Sequence, residues 1–192
     1  MALSKYPTEQ FPSSNFLICG GSILFASTRA PLQVCLLHHN VRDEWLLPKG
    51  RKDRGEGVPA TAARETFEET GYPCRLLELD LVTRAPAAGS QTKDAATPIR
   101  ASEEPFLLTL RRTEAGGVKF IWWFATVRTA EDKLEGTQTA VESFESRFFP
   151  VDEALRLATF QTDRDVIARA VELVRETYPE AREEQQAQSQ PQ

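Results

Sequence analysis

Between Gly50 and Tyr72 the chain reads GRKDRGEGVPATAARETFEETGY, and no other stretch restricts the fold so tightly. Pro59 suits the first turn of a helix, where a missing N–H costs nothing, and Gly71 suits the left-handed position after the last turn. The spacing predicts one helix from Ala60 to Thr70. Glu65, Glu68 and Glu69 fall on it at i, i+3 and i+4, so all three carboxylates share a face. Like charges so placed destabilise a free helix by ~0.2–0.5 kcal/mol per pair, and something positive must offset that. Carboxylate oxygens suit a hard divalent cation, Mg²⁺ with Mn²⁺ as the alternative. Ala63, Phe67 and Thr70 are the expected docking side, with the acids turned outward. The loop before the helix, Lys49 to Val58, carries Lys49, Arg51, Lys52 and Arg54. Arg64 is placed to reach Glu68 or Glu56 and tie that loop down.

The remaining pattern supplies a sheet. Asn15 to Ser27 reads as a strand interrupted at Gly20-Gly21, where backbone must come close to something. Leu32 to His38 and Glu44 to Leu47 read as strands, the second ended by Pro48. Leu76 to Arg84 returns to strand character, and Ala85 to Glu103 reads as a long loop. Phe106 to Arg112 and Val118 to Arg128 form a hairpin through Ala115-Gly116-Gly117. Phe144 to Phe149 is a short strand and Val151 to Ala158 a short helix with Asp152 as its cap. Thr162 to Thr177 carries Val166, Ile167, Ala170, Val171 and Val174 as a helical stripe. The order implies an α+β chain, a mixed β-sheet sandwiched between helices. Residues 1–14 are expected to be a flexible arm, 15–178 the folded domain, and 179–192 a disordered tail rich in Glu and Gln.

Gly50, Glu56, Arg64-Glu65, Glu68-Glu69 and Gly71 stand at the spacing of the Nudix box, and the stretch resembles that of Nudix hydrolases. Two aliphatic positions of the pattern depart from it, being Thr66 and Tyr72 here. Leu47-Pro48-Lys49-Gly50 and the late Phe148-Phe149-x-x-Asp152-Glu153-Ala154 extend the likeness to roughly residues 15–178. The resemblance implies the Nudix fold with the box as loop–helix–loop, and hydrolysis of diphosphate linkages. It implies Glu65, Glu68, Glu69 and the carbonyl of Lys49 as Mg²⁺ ligands, with Glu65 also a candidate base. Arg64 joins the catalytic set, and with Glu56 it organises the ligands, while Gly50 and Gly71 shape the backbone. A fourth acid is expected from Glu142 or Glu145.

Lys+Arg total 23 against 28 Asp+Glu, so the formal charge is −5, which argues against general nucleic-acid binding. It leaves room for a local basic pocket, and Arg42, Lys49, Arg51, Lys52 and Arg54 are its expected members. Lys93, Arg100, Arg111, Arg112 and Lys119 are further basic residues within possible reach, and His38 is a candidate phosphate contact. The expected partner is therefore a phosphate-rich small molecule, a diphosphoinositol polyphosphate or dinucleoside polyphosphate. The rival readings are a pyrophosphatase for oxidised nucleotides, ADP-sugars or NADH, and a non-catalytic nucleotide-binding module. Trp45 and one of Trp122 and Trp123 are candidates to stack a base, since strand alternation sends that pair to opposite faces. With no apolar run of membrane length and no secretory pattern, a membrane role is not expected. Cys19, Cys35 and Cys74 form no ligand pattern, which suits a reducing compartment, the cytoplasm or else the nucleus. A monomer or homodimer is expected.

Overall fold

The computed structural model of the chain describes residues 5–91, 94–114, 116–138 and 144–182. Its centre is an eight-stranded mixed sheet. The strands are β1 (Phe16–Phe25), β2 (Gln33–His39), β3 (Glu44–Leu46), β4 (Lys49–Arg51), β5 (Cys74–Leu76), β8 (Leu107–Arg112), β9 (Val118–Arg128) and β10 (Phe144–Pro150). They follow the path β10-β2-β1-β9-β5, with β3 on β2, β4 on β1 and β8 on β9. β1 and β9 run parallel over their whole shared length, from Phe16 opposite Val118 to Phe25 opposite Val127. A separate two-stranded ribbon pairs β6 (Leu79–Thr83) with β7 (Thr97–Ser102). The helices are α1 (Val58–Thr70), α2 (Val151–Leu157) and α3 (Gln161–Thr177), followed by a 3₁₀ turn at Pro179–Ala181. Among the described residues, no helix is long and apolar enough to cross a membrane.

Alternation along β1 and β9 divides the two layers. Ile23, Phe25, Ile121, Trp123, Ala125 and Val127 join Val166, Ile167, Ala170, Val171 and Val174 of α3 in one apolar core. The opposite face meets α1. A Cβ on Gly20 would lie 2.7 Å from the Ala62 nitrogen, so glycine there lets the helix reach the sheet backbone. β1 is continuous through Gly20-Gly21, so the expected interruption is absent while the expected close approach is present.

Four further expectations change. The basic loop after Pro48 begins as a strand, because β4 pairs antiparallel with β1 and sets Gly50 opposite Gly20. Leu76 to Arg84 is broken into β5 and β6, which belong to different sheets. The loop over Ala85 to Glu103 contains β7, whose partner β6 gives it a ladder that its Pro-containing sequence does not advertise. Asp152 does not cap α2, which starts directly from Pro150 with no side-chain cap bond. The arm described from Lys5 onward is tied by Glu9 to Arg112, with oxygens 2.9 and 2.7 Å from one guanidinium nitrogen.

Candidate active site

α1 docks by a face that shares only Thr70 with the expected one. Thr61, Ala62, Glu65, Thr66, Glu69 and Thr70 are its buried residues, whereas Ala63 and Phe67 are only half-buried. Two of the three acids therefore point toward the sheet rather than to solvent. Polar side chains accommodate this. Thr66 meets Ser22 of β1 at 2.6 Å, and Ser22 meets Thr126 of β9 at 2.7 Å, so buried hydroxyls satisfy one another beneath the helix. Thr66 is thus matched to Ser22 where an aliphatic side chain would leave that hydroxyl one partner fewer.

Arg64 organises the acids. Its Nε and Nη2 donate to Glu56 Oε1 and Oε2 at 2.8 and 3.0 Å, a two-pronged grip on the loop before the helix. Its Nη1 bridges Glu65 Oε1 at 2.9 Å and Glu68 Oε2 at 3.0 Å, and Nη2 also donates to the Arg51 carbonyl at 3.0 Å. Both expected partners, Glu56 and Glu68, are therefore engaged together. The guanidinium beside it holds the Glu56 carboxyl down to about 2, with help from the Asp53 N–H and the Thr61 hydroxyl. Arg64 itself is pushed above its ordinary value, first by Glu56.

The β4 backbone lies against the acids. Lys49 N–H donates to Glu69 Oε2 at 2.8 Å. A Cβ on Gly50 would stand 1.9 Å from Glu65 Oε2, so the glycine leaves the carboxylate its seat. Gly50→Ala is expected to displace Glu65 and reduce turnover at least tenfold while the chain stays folded, because the clash is with the end of a side chain. Circular dichroism alongside the rate measurement checks this, and a Gly50→Ala enzyme of normal rate would show that Glu65 works from another position.

The C-terminal end of α1 is closed from outside the box. Thr137 Oγ1 donates to the Glu68 carbonyl at 2.8 Å, Gln138 Nε2 to the Glu69 carbonyl at 3.0 Å, and Ser146 Oγ to the Thr70 carbonyl at 2.6 Å. Gly71, at φ +78°, donates to the Phe67 carbonyl at 2.8 Å as the ending glycine should. No sequence pattern pointed to Thr137, Gln138 or Ser146, since each reaches the helix from a distant loop or strand.

The basic residues separate into two groups. Lys49 and Arg51 flank Gly50 on a strand, so their side chains leave β4 on the face opposite Glu65. There they line a cavity of about 310 Å³ with Leu17, Cys19, Gly50, Ile121, Arg111 and Lys119. Arg42 instead pairs with Glu44 at 3.1 Å, Lys52 donates to the Asp53 carbonyl at 2.9 Å, and Arg54 is exposed; none of them lines this cavity. Arg100 lies on β7 beside Arg169 and Glu176. His38 stacks on Trp45, ring centres 4.6 Å apart, and meets Asp43 at 2.7 Å, which accounts for both side chains without a ligand. Glu145, opposite His38 in the β10–β2 ladder, is paired with Arg147 at 2.7 Å. Glu142 and Lys93 lie outside the described residues. Trp123 is buried and Trp122 half-buried on the other face of β9, as alternation requires. Asp163 in the first turn of α3 went unnoticed in the sequence. It is 4% exposed, and burial raises its pKa against the opposing pull of Lys49 and Arg111.

Carboxylate and carbonyl oxygens, the donors gathered around Arg64 and Gly50, are the kind Mg²⁺ and Mn²⁺ take, so the residues fit such an ion chemically. Among the described residues no three acidic, His or Cys side chains converge as a ready cage. Arg64 holds Glu65 and Glu68, and the Lys49 N–H holds Glu69.

A family model, the NUDIX domain, matches residues 21–170. The chain belongs to the Nudix family. Nudix hydrolases generally use divalent metal ions. An 8-oxo-(d)GTP phosphatase of Mycolicibacterium smegmatis is 27% identical over 178 residues, which cover 88% of this Nudix chain and 45% of that protein. The chain thus spans less than half the length of that curated relative. A crystal structure of a Caenorhabditis elegans Ap4A hydrolase binary complex shares the fold at TM-score 0.57 and 15% identity, covering 83% of this chain and 98% of its own. A NUDIX hydrolase structure from Listeria monocytogenes does so at TM-score 0.54 and 20% identity, covering 83% and 94%. The mixed sheet between helices is accordingly the Nudix fold, with the box spanning β4, the loop after it and α1.

Proposed function

We propose that this chain is a Nudix hydrolase that cleaves a diphosphate linkage in phosphate-rich substrates, dinucleoside polyphosphates or diphosphoinositol polyphosphates. The observation that carries the reading is the placement of Lys49 and Arg51 on one face of β4 and the Arg64-gripped acids on the other. Glu65, Glu68, Glu69 and the Lys49 carbonyl would hold the cation. Bound there, Mg²⁺ or Mn²⁺ supplies charge neutralisation on the phosphoryl oxygens and makes water a better nucleophile. Glu65 takes the proton as water adds to phosphorus, and the P–O bond to the departing phosphate breaks. Lys49 and Arg51, on the other face of β4, hold the remaining phosphates of the substrate and keep the linkage at the acids. Arg64 keeps Glu65 aimed through its Nη1. Cys19, Cys35 and Cys74 are all unbridged, which supports a reducing compartment, the cytoplasm or the nucleus.

The second reading is a pyrophosphatase for oxidised nucleotides, favoured by the likeness to the M. smegmatis protein. A release assay separates the two, using diadenosine tetraphosphate, diphosphoinositol pentakisphosphate, 8-oxo-dGTP and ADP-ribose with Mg²⁺ or Mn²⁺. Activity is expected to vanish in excess EDTA and to return with either ion. The kcat/KM for a phosphate-rich substrate is expected to exceed that for ADP-ribose and to fall as salt rises. Full activity in chelator would sink the metal mechanism. An order-of-magnitude advantage for 8-oxo-dGTP would transfer the protein to the second reading, and turnover of none of the four would favour a binding module.

A further inference from the structure

We infer that the cavity framed by Lys49, Arg51, Arg111 and Lys119 is a metal-independent site for the phosphate chain on the uncleaved side of the substrate. This rests on the hydrolase reading above and extends it to Arg111 and Lys119, which lie outside the Nudix box. Four neighbouring strands build the site in the order β4, β1, β9, β8. Arg51 stands opposite Cys19, Cys19 opposite Ile121, and Leu17 opposite Lys119. Lys119 in turn stands directly opposite Arg111. Like charges facing each other across a ladder destabilise a sheet, so this pair is poorly explained as structure and well explained as two arms of an anion site. Among the described residues none of the four cations forms an ion pair, in contrast to Arg42, Arg64, Arg112 and Arg147.

The floor is apolar, being Leu17, Cys19 and Ile121, which strengthens attraction between the rim and an anion. The Cys19 thiol registers this field: burial raises its pKa, while Lys119, Lys49 and Arg51 pull it down and Glu65 opposes them. Among the described residues the carboxylates nearest the cavity are Glu65, already bound by Arg64, Glu69, which accepts the Lys49 N–H, and Asp163, which is buried near Lys49 and Arg111. Cations therefore predominate. Among the described residues no aromatic ring lines the cavity: Phe120 and Trp122 leave β9 on the other face with Phe11, Phe16 and Ile18, and Trp123, on the same face, is buried with its Nε1 on Thr109. A nucleobase would have nothing to stack on. At about 310 Å³ the space lies at the small end of ligand pockets, roughly 300–1,000 Å³, and suits a short phosphate chain better than a whole nucleotide. β4 is an edge strand, so such a chain can pass over its edge toward the acids.

The test is calorimetric titration of the full chain with inorganic tripolyphosphate in EDTA. The wild type is expected to bind, with affinity falling as salt rises. Arg111→Ala/Lys119→Ala is expected to bind at least tenfold more weakly. Arg112→Ala, one position along β8 and paired with Glu9, should stay within threefold of wild type. Should the double variant fail to fold by circular dichroism, Lys119→Gln alone is titrated, with a severalfold loss expected. Equal binding by wild type and the Arg111/Lys119 variants would overturn the site, as would absence of binding to the wild type, and neither touches the hydrolase reading. Binding with these losses, but without hydrolysis of any substrate in the panel above, would instead overturn the hydrolase reading and leave the anion site standing.

Discussion

Glu69→Gln is expected to lower turnover roughly a hundredfold or more, the ordinary consequence of removing a charged metal ligand. Its effect on the fold should be small. Glu69 is 6% exposed and accepts the Lys49 N–H through Oε2. A glutamine of the same shape can present its carbonyl oxygen to that N–H, so the hydrogen bond survives. Repulsion from Glu65 and Glu68 is relieved at the same time. The melting temperature without metal should therefore stay level or rise while the rate collapses. Paired thermal melts and rate measurements decide the matter, and near-wild-type turnover would mean that the reaction centre lies elsewhere.

Arg64→Ala is expected to damage both stability and rate. One side chain holds Glu56 with two nitrogens, bridges Glu65 and Glu68, and ties the Arg51 carbonyl. Its removal leaves half-buried and buried carboxylates without their cation, a loss of about 2 kcal/mol with the partial exposure of the cluster taken into account. Urea unfolding at neutral pH measures it. The pH dependence carries a second signature. Glu56 is depressed from an ordinary 4.5 to about 2 in the folded chain. The unfolded chain therefore takes up the proton first, so this contribution is complete above 4.5 and drains away as pH falls toward 2. In Arg64→Ala that part of the acid dependence should flatten, because Glu56 returns toward its ordinary value. An unchanged slope between those limits would show that the grip on Glu56 contributes nothing to stability. Arg64→Lys should rescue only part of the loss, since an ammonium cannot reproduce the two-pronged contact.

The box was readable because its chemistry is local. Pro59 and Gly71 bound the helix, the i, i+3, i+4 spacing aligns Glu65, Glu68 and Glu69, and Arg64 reaches both Glu56 and Glu68 within a few turns of chain. The helix's orientation was not local. Ala63 and Phe67 were expected to dock with Thr70, yet the buried flank is Thr61, Ala62, Glu65, Thr66, Glu69 and Thr70, because Ser22 and Thr126 meet Thr66 from strands far apart in sequence. For the same reason Glu65 and Glu69 turn toward the sheet. β7 escaped notice because its side chains are mostly exposed and its pairing is with β6, outside the main sheet.

The basic residues show the division most sharply. Composition and spacing identified Lys49, Arg51, Lys52 and Arg54 as one cluster, since they lie within six positions. Strand pairing decided which of them act together. Once β4 joins β1, alternation sends Lys49 and Arg51 to one face, and the β1–β9–β8 register brings Lys119 and Arg111 beside them from sixty residues or more along the chain. Lys52 and Arg54 lie past the end of the strand and do not line that cavity. The sequence by itself determined the acid helix, its ends and its internal arginine, because those contacts span no more than a few turns. Only the tertiary structure decided which face of that helix is buried, what closes its C-terminal end, and which cations share a cavity, because each depends on a register between strands that no local pattern encodes.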